Sequence, residues 1–189
     1  MGLRIGIDCD GVLRDFIPDL IEGIKTTHPQ YADKIKTPNS WEWESWLPFW
    51  TEEETEKYVF EDNYLDFFGV EANPIKSSIE DWPKLKQWAK ENDHELVLVS
   101  AQREHCEEPT TDWLKKYGFD FDEIHYTKHK WAVDVDILID DSPEKLEKFN
   151  DRSVNYGKAI CYKQTWNQQC QDSSISIDRL SDIIGKVFG

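Results

Sequence analysis

The sequence predicts an α/β protein: a parallel sheet with helices on both faces and a small helical segment inserted after the first strand. Three observations carry this. Short apolar runs rich in β-branched residues (LRIGID near the start, ELVLVS at 95–100, DILID at 136–140) read as strands buried on both faces. Stretches of helical period separate the later runs, and strand alternating with helix calls for parallel pairing. Residues 28–75 break the alternation, with no clear strand, several prolines and the aromatic run WEWESWLPFW.

Element by element, Leu3 to Asp8 is a short buried strand ending in charge. Asp15 to about Lys25 reads as a helix with Phe16, Leu20, Ile21 and Ile24 on one face, and Pro29 should stop it. Within the insertion, TEEETEKYVFE suggests an acidic helix. A helix over Ile79–Lys90 follows, with Pro83 marking an early turn or kink. Glu95–Ser100 is a strand, and Glu107–Tyr117 a helix stopped by Gly118. Glu123–Thr127 and Asp136–Asp140 are strands. Ser142 and Pro143 then supply an N-cap and first position for a helix through about Phe149. Lys158–Tyr162 is a last strand and Asp178–Val187 a last helix.

The bulk numbers narrow the function. A length of 189 residues suits one core domain with a small insertion, and nine tryptophans argue for a folded chain. A net charge of −16 disfavours polynucleotide and anionic-membrane partners but leaves room for a small anion held by a cation and local donors. No apolar run approaches the roughly 18 residues of a membrane span, and the start lacks the pattern of a secretory signal. Four cysteines without CxxC spacing suit a reducing, cytoplasmic location and no zinc site.

Chemistry is concentrated at strand ends, where open α/β sheets bind ligands. One strand ends in Asp8-Cys9-Asp10-Gly11, a second in Ser100-Ala101-Gln102, a third in Asp140-Asp141-Ser142-Pro143. Each alone is an ordinary turn. If the strands are neighbours, four carboxylates and a hydroxyl converge on one rim and need a compensating cation. Oxygen-only ligands favour a hard ion such as Mg²⁺.

This set resembles the haloacid dehalogenase-like phosphohydrolases, whose motifs read here as DCDGV, LVLVS, a lysine in YTKHKWAVD, and ILIDDSP. It resembles more closely their 5'(3')-deoxyribonucleotidase branch, through TKHKWAVDVDILIDDSP, DGVLRDF and QTWN. The resemblance covers nearly the whole chain and is weakest over 28–75. It implies a Rossmann-like catalytic core from residues 1–15 and 76–189 with a small helical cap at 16–75. It also implies a Mg²⁺-dependent phosphomonoesterase working through an aspartyl-phosphate.

In that reading Asp8 is the nucleophile, and Asp10 protonates the leaving alkoxide and then activates water. Mg²⁺ is held by Asp8, the Asp10 main-chain carbonyl and Asp140, with Asp141 supporting that shell. Ser100 and a lysine hold the phosphoryl oxygens. Lys128 and Lys130 compete for that place, and the spacing to Asp140 favours Lys130. Gly11 suits a tight turn near the ligand, and Ala101 and Arg103 follow the serine closely enough to contact substrate. Phe16 matches the place of a base-contacting phenylalanine in that branch. Of the insertion's tryptophans, Trp41 and Trp43 are candidates to stack on a base, against the alternative that the cap aromatics form their own core. The branch carries a basic residue directly after the acidic pair. Here that residue is Ser142, which leaves base preference open.

The expected substrate is a deoxynucleoside monophosphate, with no polynucleotide or membrane partner, and exposed cap aromatics would suit a homodimer. A sugar-phosphate phosphatase and a non-catalytic metal- or nucleotide-binding module are the alternatives.

Overall fold

Residues 2–151, 157–173 and 175–186 are described by a computed structural model. Its sheet has six parallel strands: β1 (Arg4–Ile7), β2 (Glu95–Ser100), β3 (Glu123–Tyr126), β4 (Ile137–Asp140), β5 (Lys158–Tyr162) and β6 (Ile175–Ile177). Their order is β3-β2-β1-β4-β5-β6. The chain first winds outward from β1 to β3, then returns to the other side of β1 for β4. Strand order therefore reverses between β1 and β4, which opens a crevice at their carboxyl ends.

The inner strands are mostly apolar because both faces are covered, while β3, EIHY at the sheet edge, stays exposed or half-buried. Ile5, Ile7, Leu96, Leu98, Ile137 and Ile139 pack with Trp82 and Leu85 of α5 (Lys76–Glu91) and Trp113 and Leu114 of α6 (Glu104–Tyr117). On the opposite face Val97, Val99, Leu138 and Cys161 pack with Leu146 and Phe149 of α7 (Pro143–Asn150).

The insertion is helical. It contains α1 (Phe16–Thr27), a 3₁₀ turn (Pro29–Lys34), α2 (Trp43–Trp46), α3 (Glu52–Lys57) running into a π turn (Tyr58–Asp62), and α4 (Tyr64–Phe68). Thr51 starts α3 with a full capping box: its hydroxyl accepts from Glu54 N–H, and the Glu54 carboxylate accepts from Thr51 N–H. Apolar residues from 16 to 68 gather into a cluster of their own, joined by Cys106 and Trp166.

Several boundaries differ from expectation. Pro83 and Pro109 lie inside continuous helices that begin three residues earlier than their sequences suggested, at Lys76 and Glu104. Burial of Trp82, Leu85 and Ala89 on one side and Trp113 and Leu114 on the other offsets the lost hydrogen bond at each proline. Ser142 takes the N-cap position of α7, but its hydroxyl makes no capping bond, and its N–H is engaged by Asp140 Oδ1 at 2.8 Å. The helix expected from Asp178 begins at Asp182, as α9 (Asp182–Lys186). The N–H groups of Asp178 and Arg179 turn to the Asp182 carboxylate and that of Ser181 to Asp81, so 178–181 is a turn. Val187, its expected end, lies outside the described residues. Strand β6 and helix α8 (Gln168–Ser173) had no sequence signal strong enough to predict them.

Candidate active site

β1 lies between β2 and β4, so the three strand ends singled out in the sequence are adjacent. They floor a pocket of about 260 Å³ whose base is Asp8, Asp10, Ser100, Lys130 and Asp141. Its size suits a small molecule rather than a polymer.

After β1 the chain turns back sharply. The Cys9 carbonyl accepts from the N–H groups of Val12, Leu13 and Arg14, and Gly11 N–H bonds the Arg14 carbonyl. Gly11 is needed twice: its φ is +77°, and a Cβ there would lie 2.1 Å from Asp141 Oδ2. It sits behind the pocket rather than lining it, and its carbonyl accepts from Gln164 Nε2 at 2.7 Å.

Lys130, in the short 3₁₀ turn Lys130–Ala132, is the lysine that reaches the site; Lys128 is exposed. The Lys130 ammonium is buried and bridges Asp8 Oδ2 and Asp140 Oδ2, each at 2.7 Å. Burial works against its charge, but the two carboxylates outweigh that and hold its pKa above the ordinary lysine value. Asp8 Oδ1 accepts from Cys9 N–H at 2.7 Å. Asp141 Oδ2 accepts from Trp166 Nε1 at 2.7 Å, and its carbonyl from Asn167 Nδ2 at 2.8 Å.

One lysine faces three buried carboxylates: oxygens of Asp8, Asp140 and Asp141 all lie within 4.8 Å of one another. Burial pushes the Asp8 carboxyl up to about 7; Lys130 opposes this, while Asp140 and Asp10 add to it. Asp141 is also pushed well above the ordinary value, by burial and then by Asp140 and Asp8. Asp141 Oδ1 is a buried acceptor without a partner. An all-oxygen trio short of positive charge, with one uncommitted oxygen, fits a hard divalent cation. Asp141 belongs to this trio on the same footing as Asp140. The Asp10 carboxylate stands outside it, bound at Oδ1 by Arg14 Nε (2.7 Å) and at Oδ2 by Gln102 Nε2 (2.6 Å).

Above this floor the wall is aromatic. Phe16, Trp41, Trp43, Phe60 and Phe68 line it. Phe68 stacks between Phe16 and Phe60, with centroids 5.6 and 5.3 Å away, and Trp43 meets Phe16 edge-on. Trp46 and Trp50 pack within the insertion's own cluster. Ala101, Gln102, Ser142, Glu144 and Lys145 form the rim. Arg103 points elsewhere: its guanidinium lies 4.1 Å over Phe60 and pairs with Glu56 at 3.0 Å, tying the insertion to the core. His105 assists with a 2.6 Å contact from Nε2 to the Phe60 carbonyl.

The sequence reading missed Arg14, Gln102 and Trp166 as individual site residues. Arg14 and Trp166 sit inside the quoted runs DGVLRDF and QTWN; Asp10 is four residues from Arg14, but Phe68 and Thr110, and Asp141 beside Trp166, are remote in the chain. Among the described residues no helix is long and apolar enough to cross a membrane.

Solved structures share this architecture across the whole chain. A haloacid dehalogenase-like hydrolase from Streptococcus pneumoniae superposes with a TM-score of 0.63 at 13% identity, over 97% of this chain and 98% of that one. The L-2-haloacid dehalogenase of Xanthobacter autotrophicus superposes at 0.61 and 10% identity, over 100% and 99%. The fold is thus haloacid dehalogenase-like, and the chain is a phosphoric monoester hydrolase of that class. Residues 2–183 match the family described as 5' nucleotidase, deoxy (pyrimidine), cytosolic type C protein, and the chain belongs to it. Two similar curated proteins carry related names. "Putative 5'(3')-deoxyribonucleotidase" of Chlorobaculum tepidum is 23% identical over 89% of this chain and 82% of its own length. "Putative 5'(3')-deoxyribonucleotidase R824" of Acanthamoeba polyphaga mimivirus is 26% identical over 80% and 68%.

Proposed function

We propose that this enzyme is a Mg²⁺-dependent 5'(3')-deoxyribonucleotidase that dephosphorylates deoxynucleoside monophosphates through an aspartyl-phosphate on Asp8. The observation that carries the reading is the joining of a carboxylate-and-lysine floor to an aromatic wall in one small pocket. The floor handles a phosphoryl group, and the wall offers faces on which a nucleobase stacks.

Asp8 attacks phosphorus while Asp10 gives its proton to the departing sugar oxygen. Asp10 then takes a proton from the water that releases phosphate. Ser100 and Lys130 hold the phosphoryl oxygens as their charge rearranges. Asp8, Asp140 and Asp141 offer carboxylate oxygens for the ion, joined in this reading by the Asp10 main-chain carbonyl. When bound, Mg²⁺ offsets the carboxylates' charge and that of the phosphoryl group. Phe16, Trp41 and Trp43 exclude water and hold the base.

The test is phosphate release from deoxy- and ribonucleoside monophosphates and sugar phosphates, with Mg²⁺ or chelator, beside Asp8→Asn. Metal-dependent release from deoxynucleotides, lost in the variant, is expected. Release from sugar phosphates alone would overturn the substrate assignment, and undiminished release by Asp8→Asn would overturn the nucleophile.

A further inference from the structure

In a chain of net charge −16, the Arg14 side chain is completely buried. Arg14 Nε donates to Asp10 Oδ1 at 2.7 Å, Nη1 donates to the Phe68 carbonyl at 3.2 Å, and Nη1 and Nη2 share the Thr110 hydroxyl at 3.3 and 3.4 Å. The guanidinium carbon lies 5.0 Å from the Phe68 ring centroid and 5.1 Å from that of Trp113. Burying a guanidinium costs several kcal/mol before any pairing, and well-packed apolar residues commonly do the purely structural work as well. What an apolar residue does not do is hold a carboxylate in one orientation.

Asp10 keeps part of its surface in the pocket, and its two oxygens have different surroundings. Oδ1 is fixed from the buried side by Arg14. Oδ2 lies with Gln102 Nε2, which also reaches Ser100 Oγ at 3.2 Å, among residues that line the pocket. Gln102 Oε1 is a buried acceptor without a partner. Turning that amide over would exchange the donor at Oδ2 for an acceptor, so the contact at Oδ2 is adjustable while Arg14 keeps Oδ1 fixed.

We propose that Arg14 is the positioning residue for proton transfer by Asp10, and that through Phe68 it ties that orientation to the aromatic wall. The proposal rests on Asp10 being the acid and base of the reading above. As the Asp8 oxygen bonds to phosphorus and the ester P–O bond breaks, the proton on Asp10 Oδ2 passes to the leaving oxygen. The alcohol departs and Asp10 is left as carboxylate. Water then bonds to phosphorus, gives a proton to Asp10, and the Asp8–phosphorus bond breaks to release phosphate. Arg14 holds Oδ1 in both steps and exchanges no proton itself. Phe68 stacks on Phe16 and Phe60, so a base resting on that wall also braces the group under Arg14.

Leaving groups separate positioning from general support of the fold. A sugar alkoxide must be protonated as it departs, whereas p-nitrophenolate leaves without help. A general acid is worth about 10²–10⁴ in rate. Arg14→Gln should therefore lower kcat/KM, which ends at departure of the leaving group and leaves out the shared hydrolysis step, about 10²-fold on a deoxynucleoside monophosphate and by less than about tenfold on p-nitrophenyl phosphate, with Arg14→Lys between wild type and Arg14→Gln. Equal losses on both substrates would overturn the proposal. Should Arg14→Gln fail to fold, Thr110→Val keeps every charge and loosens only the guanidinium. It should shift the ratio of the two rates in the same direction by a few-fold, and an unchanged ratio would overturn the proposal. Asp10→Asn is run alongside. If it loses both substrates equally, the acid role of Asp10 fails and takes this proposal with it. If Asp10→Asn shows the split and the Arg14 and Thr110 variants do not, Arg14 alone is refuted.

Discussion

Replacing Asp8 with asparagine should move the stability of the metal-free protein in the variant's favour as pH rises. Burial raises the Asp8 carboxyl from 3.8 to about 7 in the native state. The native protein thus holds a proton on Asp8 over a range where the unfolded chain has lost it, and stability falls as pH rises through that window. Asp8's contribution is whole below the unfolded value and is lost once pH passes about 7. One pKa unit is worth about 1.4 kcal/mol, so the carboxyl weakens the native state by roughly 2 kcal/mol at pH 5 and roughly 4 at pH 8. The replacing asparagine does not titrate and Lys130 stays charged throughout; the Asp8–Lys130 attraction exists only once Asp8 has ionised and is already contained in the Asp8 pKa, so the rest of the substitution's cost is common to both pH values. The stability gap between variant and wild type should therefore move in the variant's favour by about 2–3 kcal/mol, or about 5–10 °C in melting temperature. Relief of Asp141, which Asp8 also pushes up, adds in the same direction. The assay is thermal unfolding in chelator at pH 5 and pH 8. Parallel shifts at the two pH values would refute the claim that a buried, underpaired carboxylate sits at position 8. Saturating Mg²⁺ should then favour the wild type, because an ion bound only by the native state adds to its stability.

Lys130→Met strands Asp8 and Asp140 without their shared cation and should cost about 3–5 kcal/mol in chelator, read by denaturant unfolding. Trp166→Phe removes the indole N–H that fixes Asp141 Oδ2 while keeping the ring, and should weaken divalent-ion affinity about 10–100-fold by calorimetric titration. Asp81 binds Arg179 through both carboxylate oxygens and also accepts from Ser181 N–H. Burial works against its charge, but those bonds hold its pKa below the usual carboxylate value. Its stabilisation is therefore present above the unfolded pKa and lost as pH falls through the folded one. Asp81→Asn should flatten that acid limb and cost about 1–3 kcal/mol at neutral pH, seen in melting curves from pH 2 to 7.

The strands of the inner sheet were legible because a parallel strand covered on both faces is written as an unbroken apolar run. The residues that close LRIGID, ELVLVS and ILIDD are those that meet in the crevice. β6 has only Ile175–Ile177, too short a run to stand out. Lys130 and Lys128 look alike in sequence, and only folding buries one of them against two carboxylates. Arg14 was opaque because, beyond Asp10 four residues before it, the partners that bury it, Phe68, Thr110 and Trp113, lie far along the chain. A charged residue within GVLRDFI was the one available hint. Pro83 misled because local propensity was outweighed by the packing of the helix that contains it.

The placement of β1 also has a consequence for synthesis on the ribosome. The strand carrying Asp8 is made before β2 and β4, yet Arg4 pairs with Glu95 and Ile5 with Ile137, on opposite sides. The whole insertion and two crossovers must emerge before both edges of β1 are covered. Until then an apolar strand with unpaired N–H and C=O groups waits in solution, open to pairing with a neighbouring nascent chain. A sheet organised this way is expected to fold slowly for its size, limited by closure of its longest-range contacts. Crowded expression should lose more of it to aggregation than its native stability would suggest.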